Sequence, residues 1–296
     1  MLPSEVIFAG NMKQNLNIAL SGASGNIGRI LRVALPELGY ALRSAGGRSP
    51  LEARFDGEDV MHGDLRDPAV VDQLLSGIDV LVHMAGTSVE RPLPEIIQNN
   101  LVALHEVYEG ARRQGVRRIV FASSNHAFGM HSVDASLRLD AAYRPDGFYG
   151  LSKMWGEGLA RMYWDKHGIE SVCLRIGSAS EIPPENRRHL STWLGKEDLI
   201  QLVQRSIEAP SVGYAEVWGI SNNSRAFYDL SQENAIGYFP ALDAEAWAAV
   251  AEPIAPHPHP LSSQLQGGAF VLHDYTPADE RPARVREASI LNREMK

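Results

Sequence analysis

Cysteine is nearly absent from the sequence, since Cys173 is the single one among 296 residues. One cysteine cannot form an internal disulfide, and a reducing, cytoplasmic setting is therefore expected. Cys173 lies in the apolar run SVCLRI, which favours a small buried side chain over a nucleophile.

Long apolar runs and an excess of positive charge are also missing. No run reaches the roughly eighteen apolar residues of a membrane helix, and residues 1–15 lack the basic flank and apolar stretch of a signal peptide. We interpret residues 1–15 as an N-terminal extension and expect no membrane association. The net charge of -8 provides no basic surface for nucleic acid. An anionic substrate would therefore need local arginines.

A recognisable pattern of metal ligands is missing as well. The segment from Pro253 to Pro260 contains four prolines and the sequence HPHP, but its two histidines have no further ligands close by. An irregular loop is the better interpretation of this segment. No metal site is predicted.

A glycine pattern opens the predicted fold. The apolar run Leu16–Leu20 ends in SGASG, and NIGRILRVALPELG follows with apolar residues at helical spacing. Gly22, Gly25 and Gly28 then permit a tight turn and close packing of the helix on the strand, and free amides at the helix N-terminus suit a pyrophosphate. This context favours a dinucleotide site over a purely structural turn. The predicted contacts here are Gly22, Ser24, Gly25, Asn26, Ile27 and Gly28.

The next predicted strand, Ala41–Ala45, lacks the expected acid. Dinucleotide-binding folds usually place an acidic residue here to bind the adenosine ribose, but no Asp or Glu lies between Glu37 and Glu52. Ser44 and Arg48 could instead hold a 2′-phosphate, or the loop could contact the ribose through its backbone and Ser44. Both alternatives remain open, so the cofactor is predicted as NAD or NADP.

Strands and helices alternate through the rest of the chain. Asp64 and Leu65 follow a predicted third strand, and the Asp64 carboxylate could accept from an adenine amino group or cap the next helix. The run Asp79–Ser88 is a buried strand leading into a loop of small residues, where Ala85 and Gly86 are expected at the ligand site. Later segments read as helix (NLVALHEVYEGARR), strand (RRIVFASS), helix (KEDLIQLVQRSIEAP), strand (YAEVWGIS) and helix (DAEAWAAVAEP). The alternation predicts an α/β fold, a Rossmann-like doubly wound parallel sheet with helices on both faces and small interleaved substrate-binding elements.

Two polar motifs follow the predicted fourth strand. Ser123 to His126 (SSNH) end this strand, where a serine hydroxyl could bind a substrate oxygen and assist proton transfer. Tyr149 and Lys153 stand four residues apart, so on a helix their Cβ atoms would be about 5–6 Å apart on one face. An adjacent ammonium and a nicotinamide cation could together lower the phenol pKa by roughly three units. A chance Tyr and Lys at a helix N-terminus is the alternative, which the upstream motifs disfavour.

In this order, GASGNIG, the DL pair, the HMAG loop, the serine and YxxxK resemble the extended short-chain dehydrogenase/reductase family. The resemblance implies a catalytic Ser124, Tyr149 and Lys153, the last also touching the cofactor, with Asn100 as the proton-relay asparagine. Within this family, the segments VFASSNHAFG, RPDGFYGLSK, LRIGS, RRHLSTWL and VWGISNN are similar to the uronate dehydrogenases, over about residues 16–275. That similarity implies oxidation of the anomeric C1 hydroxyl of galacturonate or glucuronate to an aldarolactone with NAD.

The same resemblance implies a set of substrate contacts, namely Ser88, Ser124, Asn125, His126, Tyr149, Ser178 and Arg188. A guanidinium can bind a carboxylate through two parallel hydrogen bonds, as an acidic protein needs for an anionic sugar. Without the resemblance, Arg188 would be interpreted as a solvated surface residue. The sequence departs from the family where its ribose-binding acid is replaced by Gly46, so we expect dual or NADP-leaning use.

We predict one dehydrogenase domain over residues 16–275, with substrate-covering segments at about 179–196 and 226–275 and a tail over 276–296. The partner is a small sugar acid, and a homo-oligomer is left open. A nucleotide-sugar epimerase or sugar reductase of the same fold is one alternative, disfavoured because no basic cluster beyond the glycine turn could hold a nucleoside diphosphate. A non-catalytic NAD(P)-binding sensor is another, but a sensor would not need the Ser, Tyr and Lys set.

Overall fold

The computed structural model describes residues 16–47, 51–55, 57–231, 234–277 and 279–282. Residues 1–15, interpreted as an extension, lie outside the described residues, as do Arg48 and the tail from residue 283 onward. In the part that is described, no helix combines the length and hydropathy needed to cross a membrane.

Strands and helices alternate as the sequence predicts. The strands are β1 (Asn17–Ser21), β2 (Ala41–Gly46), β3 (Asp59–His62), β4 (Val80–His83), β5 (Arg118–Ser124), β6 (Glu170–Ile176), β7 (Ser178–Ala179), β8 (Trp193–Leu194) and β9 (Tyr214–Gly219). The α-helices are α1 (Asn26–Glu37), α2 (Pro68–Leu75), α3 (Leu93–Ile96), α4 (Ala103–Gln114), α5 (Phe148–His167), α6 (His189–Thr192), α7 (Lys196–Glu208) and α8 (Ala248–Ala251). Short 3-10 segments cover Asn125–Phe128, Ala244–Trp247, Pro260–Ser263 and Gly268–Leu272.

The main sheet has seven strands in the described residues, in the order β3-β2-β1-β4-β5-β6-β9, and every pairing is parallel. The order reverses beside β1, which pairs with both β2 and β4, so a crevice opens at the carboxyl ends of these strands. Strands β7 and β8 form a separate pair of two residues each. This topology confirms the predicted doubly wound parallel sheet.

Apolar clusters on the two sheet faces hold the layers together. One cluster includes Ile18 of β1, Leu31 of α1 and Leu202 of α7. The other includes Tyr108 of α4 and Tyr163 of α5. Because both faces are covered, all seven residues of the central strand β6 are buried. Its two charged residues, Glu170 and Arg175, are paired with Arg118 and Glu157. Helices therefore lie on both faces, as predicted.

Two regions differ from the sequence-based prediction. The helix expected from Asn100 begins at Leu93 and passes through a π-helical segment, Ile97–Val102, before α4. The late helix is short, and the chain after β9 is mostly irregular. This late chain packs on the loops after β5, through an isolated bridge between Ser132 and Leu265 and a hydrogen bond from the Gly267 amide to the Gly129 carbonyl of 2.8 Å.

Candidate active site

A cavity of about 490 Å³ lies over the carboxyl ends of β1, β4, β5 and β6. Most of the predicted site residues line it, from the glycine turn at one end to the SSNH motif at the other. The predicted residues in its wall are Gly22, Ser24, Gly25, Asn26, Ile27, Gly28, Leu65, Ala85, Gly86, Ser88, Ser124, His126, Tyr149, Lys153 and Ser178. The topology thus brings together residues that are more than 150 positions apart in the sequence.

The glycine turn has the backbone geometry of an anion site. Gly22 has φ +74°, and a Cβ there would lie 2.6 Å from the Ala85 amide nitrogen, so a larger residue would be both strained and in collision. Helix α1 starts after Gly25 with no side-chain cap and no acidic residue in its first turn. Its first amides therefore remain available to a ligand, and the positive end of the helix dipole points at the cavity. These residues fit a dinucleotide pyrophosphate.

The adenosine end differs from the prediction. Ser44 is fully buried within β2 and does not line the cavity, so we withdraw it as a cofactor contact. The Asp64 carboxylate is paired with Arg66 and lies in an adjoining cavity, and its contact with an adenine amino group stays a prediction. The alternative, that Asp64 caps the next helix, is wrong because Asp67 is the N-cap of α2. Gly46 and Gly47 line the wall where an acid would otherwise lie. The predicted contact from Arg48 falls outside the described residues.

Ser124, Tyr149 and Lys153 meet at the opposite end of the cavity. Ser124 ends β5, and the first turn and a half of α5 supplies the other two. The Lys153 Nζ donates to the Ala122 carbonyl at 2.7 Å and lies 5.6 Å from the centre of the Tyr149 ring. Lys153 thus packs under the phenol ring and is tied to β5.

Burial dominates the electrostatics of this group. It raises the pKa of Tyr149 to about 12, although a hydrogen bond with Ser124 lowers it and Asp146 raises it further. Burial also lowers the pKa of Lys153 to about 8. The predicted lowering of the phenol pKa by Lys153 together with a nicotinamide cation stays a prediction, because burial is the largest influence on Tyr149 in the chain alone. A phenolate at neutral pH needs further positive charge.

Asn100 holds the loop after β4 against α5. It lies buried in the π-helical segment, where its Oδ1 accepts from the Thr87 amide at 2.8 Å and its Nδ2 donates to the Ser152 hydroxyl at 2.9 Å. It does not line the cavity. We therefore propose that Asn100 positions this loop, and we no longer propose that it relays protons.

The predicted sugar contacts divide into two groups. Ser88, His126 and Ser178 line the cavity, whereas Asn125 is buried and donates to the Tyr228 hydroxyl at 3.0 Å. Asn125 can therefore support the site only from behind. Of the seven predicted sugar contacts, Asn125 and Arg188 are the two that do not line the cavity.

Arg188 lies behind Ser178, in the wall of a neighbouring cavity of about 380 Å³. Its Nε donates to the Gln266 carbonyl at 2.6 Å and its Nη1 reaches the Ser178 hydroxyl at 3.4 Å. Its buried Nη2 has no partner among the described residues, and burial lowers the pKa of the guanidinium. A desolvated guanidinium with a spare donor favours an anion.

Three functional residues were missed by the sequence reasoning. Glu90 accepts hydrogen bonds from the amides of Phe148 and Tyr149, both at 2.9 Å, and so caps α5 from the loop after β4. Asp146 contacts His126, and Phe270 stacks on the same imidazole. Asp146 stood inside the matched RPDGFYGLSK segment and could have been noticed, but nothing local marks Glu90 or Phe270.

Known proteins place this geometry in a family. Residues 18–194 match the model of the NAD dependent epimerase/dehydratase family. Uronate dehydrogenase of Pseudomonas putida is 40% identical over 86% of this chain and 95% of that protein. The crystal structure of a mutant uronate dehydrogenase from Agrobacterium tumefaciens complexed with NAD is 40% identical with a TM-score of 0.81, covering 86% of this chain and 97% of that one. A glucuronic acid dehydrogenase from Chromohalobacter salexigens is 36% identical with a TM-score of 0.80, covering 86% and 97%. The chain belongs to the NAD dependent epimerase/dehydratase family and, within it, to the uronate dehydrogenases, which confirms the resemblance read from its motifs.

Proposed function

We infer that the protein oxidises the C1 hydroxyl of a hexuronate, galacturonate or glucuronate, to an aldarolactone, with hydride transfer to NAD. One observation carries this inference: a Ser, Tyr and Lys group lies in the same cavity as an uncapped glycine turn, with a buried, partly unpartnered arginine behind it. The relatives named as uronate dehydrogenases support the same activity.

In the proposed mechanism, Tyr149 removes the proton of the C1 hydroxyl while the C1 hydrogen leaves as hydride. A bound, oxidised nicotinamide would supply the hydride acceptor and a positive charge that favours the phenolate. Ser124, which hydrogen-bonds the phenol, orients the reacting hydroxyl and favours the phenolate. Lys153, with a pKa of about 8, carries most of its charge at pH 7 and is held in place by the Ala122 carbonyl.

We assign the carboxylate end of the sugar to Arg188. Arg188 lies outside the cavity wall, but its Nη1 reaches Ser178 in that wall and its Nη2 is a spare donor among the described residues. The hydroxyl groups are assigned to Ser88 and His126. The irregular segments at about 179–196 and 226–275 cover the sugar in this proposal, which the contact of Phe270 with His126 supports. A cytoplasmic location is part of the proposal, in keeping with the lone buried Cys173.

The test is to mix the purified protein with galacturonate or glucuronate and NAD or NADP, and to follow reduced nicotinamide by its absorbance and the lactone by NMR. Tyr149→Phe should lower kcat by about 10²–10⁴-fold and leave NAD affinity nearly unchanged. Tyr40→Phe is the matched control, because its hydroxyl donates to Glu208 away from the cavity. An epimeric sugar product would instead indicate the epimerase alternative, and NAD binding without turnover would indicate the sensor.

A further inference from the structure

Asp146 is a buried carboxylate beside the sugar end of the cavity. Its side chain is fully shielded, and its Oδ2 lies 2.6 Å from the Nδ1 of His126. Its Oδ1 has no hydrogen-bond partner among the described residues. Burying a carboxylate costs free energy unless hydrogen bonds satisfy it. The presence of Asp146 with a single imidazole as its side-chain partner therefore requires an explanation.

The backbone around Asp146 leaves room for this carboxylate and little else. A Cβ added at Gly129 or at Gly267 would overlap the Asp146 carboxylate group. The two glycines are joined to each other by the hydrogen bond from the Gly267 amide to the Gly129 carbonyl at 2.8 Å. The late irregular chain and the loop after β5 therefore close together around Asp146.

His126 is fixed on several sides. Its ring stacks on Phe270 with centroids 3.9 Å apart, and its backbone amide donates to the Ser124 hydroxyl at 3.1 Å. The imidazole lines the cavity, with its centroid 5.8 Å from that of the Tyr149 ring. Its orientation is thus determined before any sugar binds.

The contact with Asp146 also determines where the imidazole carries its proton. An ionised carboxylate can only accept hydrogen bonds, so Nδ1 of His126 must be the donor. In the neutral ring, Nε2 then keeps its lone pair and can only accept. Burial lowers the pKa of His126 although Asp146 opposes this, which favours the neutral ring.

We propose that Asp146 is a positioning residue that holds His126 as the Nδ1–H tautomer, so that Nε2 accepts a hydrogen bond from a hydroxyl of the hexuronate. This inference rests on the proposed function for the identity of the ligand. It adds a specificity rule: the group at His126 must be a donor. A sugar whose hydroxyl at that place is replaced by hydrogen or by a methyl ether leaves Nε2 unsatisfied in a buried site.

The first test requires no substrate. Ring nitrogen shifts of His126 are measured by NMR in protein with labelled histidine, and the resonance is assigned by its loss in His126→Gln. The wild type should show a protonated Nδ1 and a bare Nε2. Asp146→Asn, whose amide can donate to Nδ1, should reverse the pattern, and the control Asp198→Asn, a buried carboxylate that accepts from the Ala241 and Leu242 amides, should not. A wild-type Nε2–H tautomer would overturn the proposal whatever the enzyme does.

The second test measures coupling in the reaction. Asp146→Asn should lower kcat/KM for the hexuronate by roughly 10- to 100-fold, with NAD affinity unchanged. In a His126→Gln background the same substitution should change kcat/KM by less than about twofold, because its effect passes through the imidazole. An equal loss in both backgrounds would assign Asp146 a merely structural role. If no hexuronate is oxidised by the wild type, the proposed function fails, and the tautomer measurement still decides the Asp146 contact.

Discussion

The buried Lys153 should make the free energy of unfolding depend on pH. A neutral side chain at the same position should remove this dependence. Its pKa falls from 10.5 to about 8 because folding buries the ammonium. Between these two pH values the unfolded chain binds more protons than the folded one, so the free energy of unfolding rises with pH across this window. Below pH 8 the buried charge is present in full and costs stability. We therefore predict that Lys153→Met loses this pH dependence.

The size of the effect follows from the two pKa values. A gap of about 2.5 pKa units corresponds to about 3 kcal/mol at 1.36 kcal/mol per unit. About 2 kcal/mol of this should develop between pH 7 and pH 9.5, from the same linkage relation. The hydrogen bond to the Ala122 carbonyl affects the absolute stability of the variant, but the pH dependence isolates the buried charge.

Urea unfolding followed by tryptophan fluorescence at several pH values from 7 to 9.5 measures the effect. The stability of the wild type relative to Lys153→Met should increase across the series, while groups common to both proteins cancel. Lys166→Met is the matched control, because Lys166 is exposed near the end of the same helix and remains in water on folding. If the wild-type and Lys153→Met curves run parallel, the ammonium is not desolvated and the account of the site is wrong.

Three further predictions concern binding and positioning. Arg188→Ala should cost about 2–5 kcal/mol in uronate binding, measured as a rise in KM, and leave the KM of the uncharged parent sugar nearly unchanged; equal effects on both sugars would refute carboxylate recognition. Glu90→Ala removes the acceptor for two amides of α5, so urea unfolding should show a loss of about 0.5–2 kcal/mol together with a lower kcat, with Glu90→Gln intermediate; an unchanged kcat would argue that the cap does not position Tyr149. Because Gly46 replaces the ribose-binding acid, kcat/KM with NADP should lie within about a hundredfold of that with NAD, and a larger preference for NAD would contradict dual use.

The fold and the glycine turn were predictable because their signals are local. A short apolar run, three glycines at fixed spacing and a helical period predict β1, the turn at Gly22 and α1, all between Asn17 and Glu37. The strand ends were predictable for the same reason, so most residues that line the cavity were among the predicted candidates. Periodicity cannot show which side chain of a loop faces a cavity. Asn125 and His126 are neighbours, yet one turns to Tyr228, 103 positions away, and the other to the cavity.

The electrostatics were not predictable because they depend on distant segments. The spacing of Tyr149 and Lys153 suggested a lowered phenol pKa, but spacing gives no information on burial. Phe270, more than a hundred positions later, packs beside the Tyr149 ring, with ring centroids 6.2 Å apart. Likewise, Arg188 resembles a surface arginine until its bond to Gln266, 78 positions away, is known. Sequence patterns therefore identified the chemical groups, and the packing of remote segments determined their charge states.

Buried groups that lack partners are concentrated at the sugar end of the cavity. Asp146 Oδ1, Arg188 Nη2 and Gln266 Oε1 are among the unpartnered buried atoms of the described residues, and Gln266 itself contacts Arg188. Other buried charges of the described residues have partners, such as Glu170 for Arg118, Glu58 for Arg32 and two backbone amides for Asp198. An unsatisfied buried donor costs about 1–3 kcal/mol, and this cost exists before any ligand arrives. In the proposed complex, a carboxylate at Arg188 accepts a charge-assisted hydrogen bond from this donor, which is about twice as strong as the neutral one that a hydroxyl of an uncharged sugar accepts. We therefore expect the preference for a sugar acid to originate in this buried guanidinium, which is in place before the sugar binds.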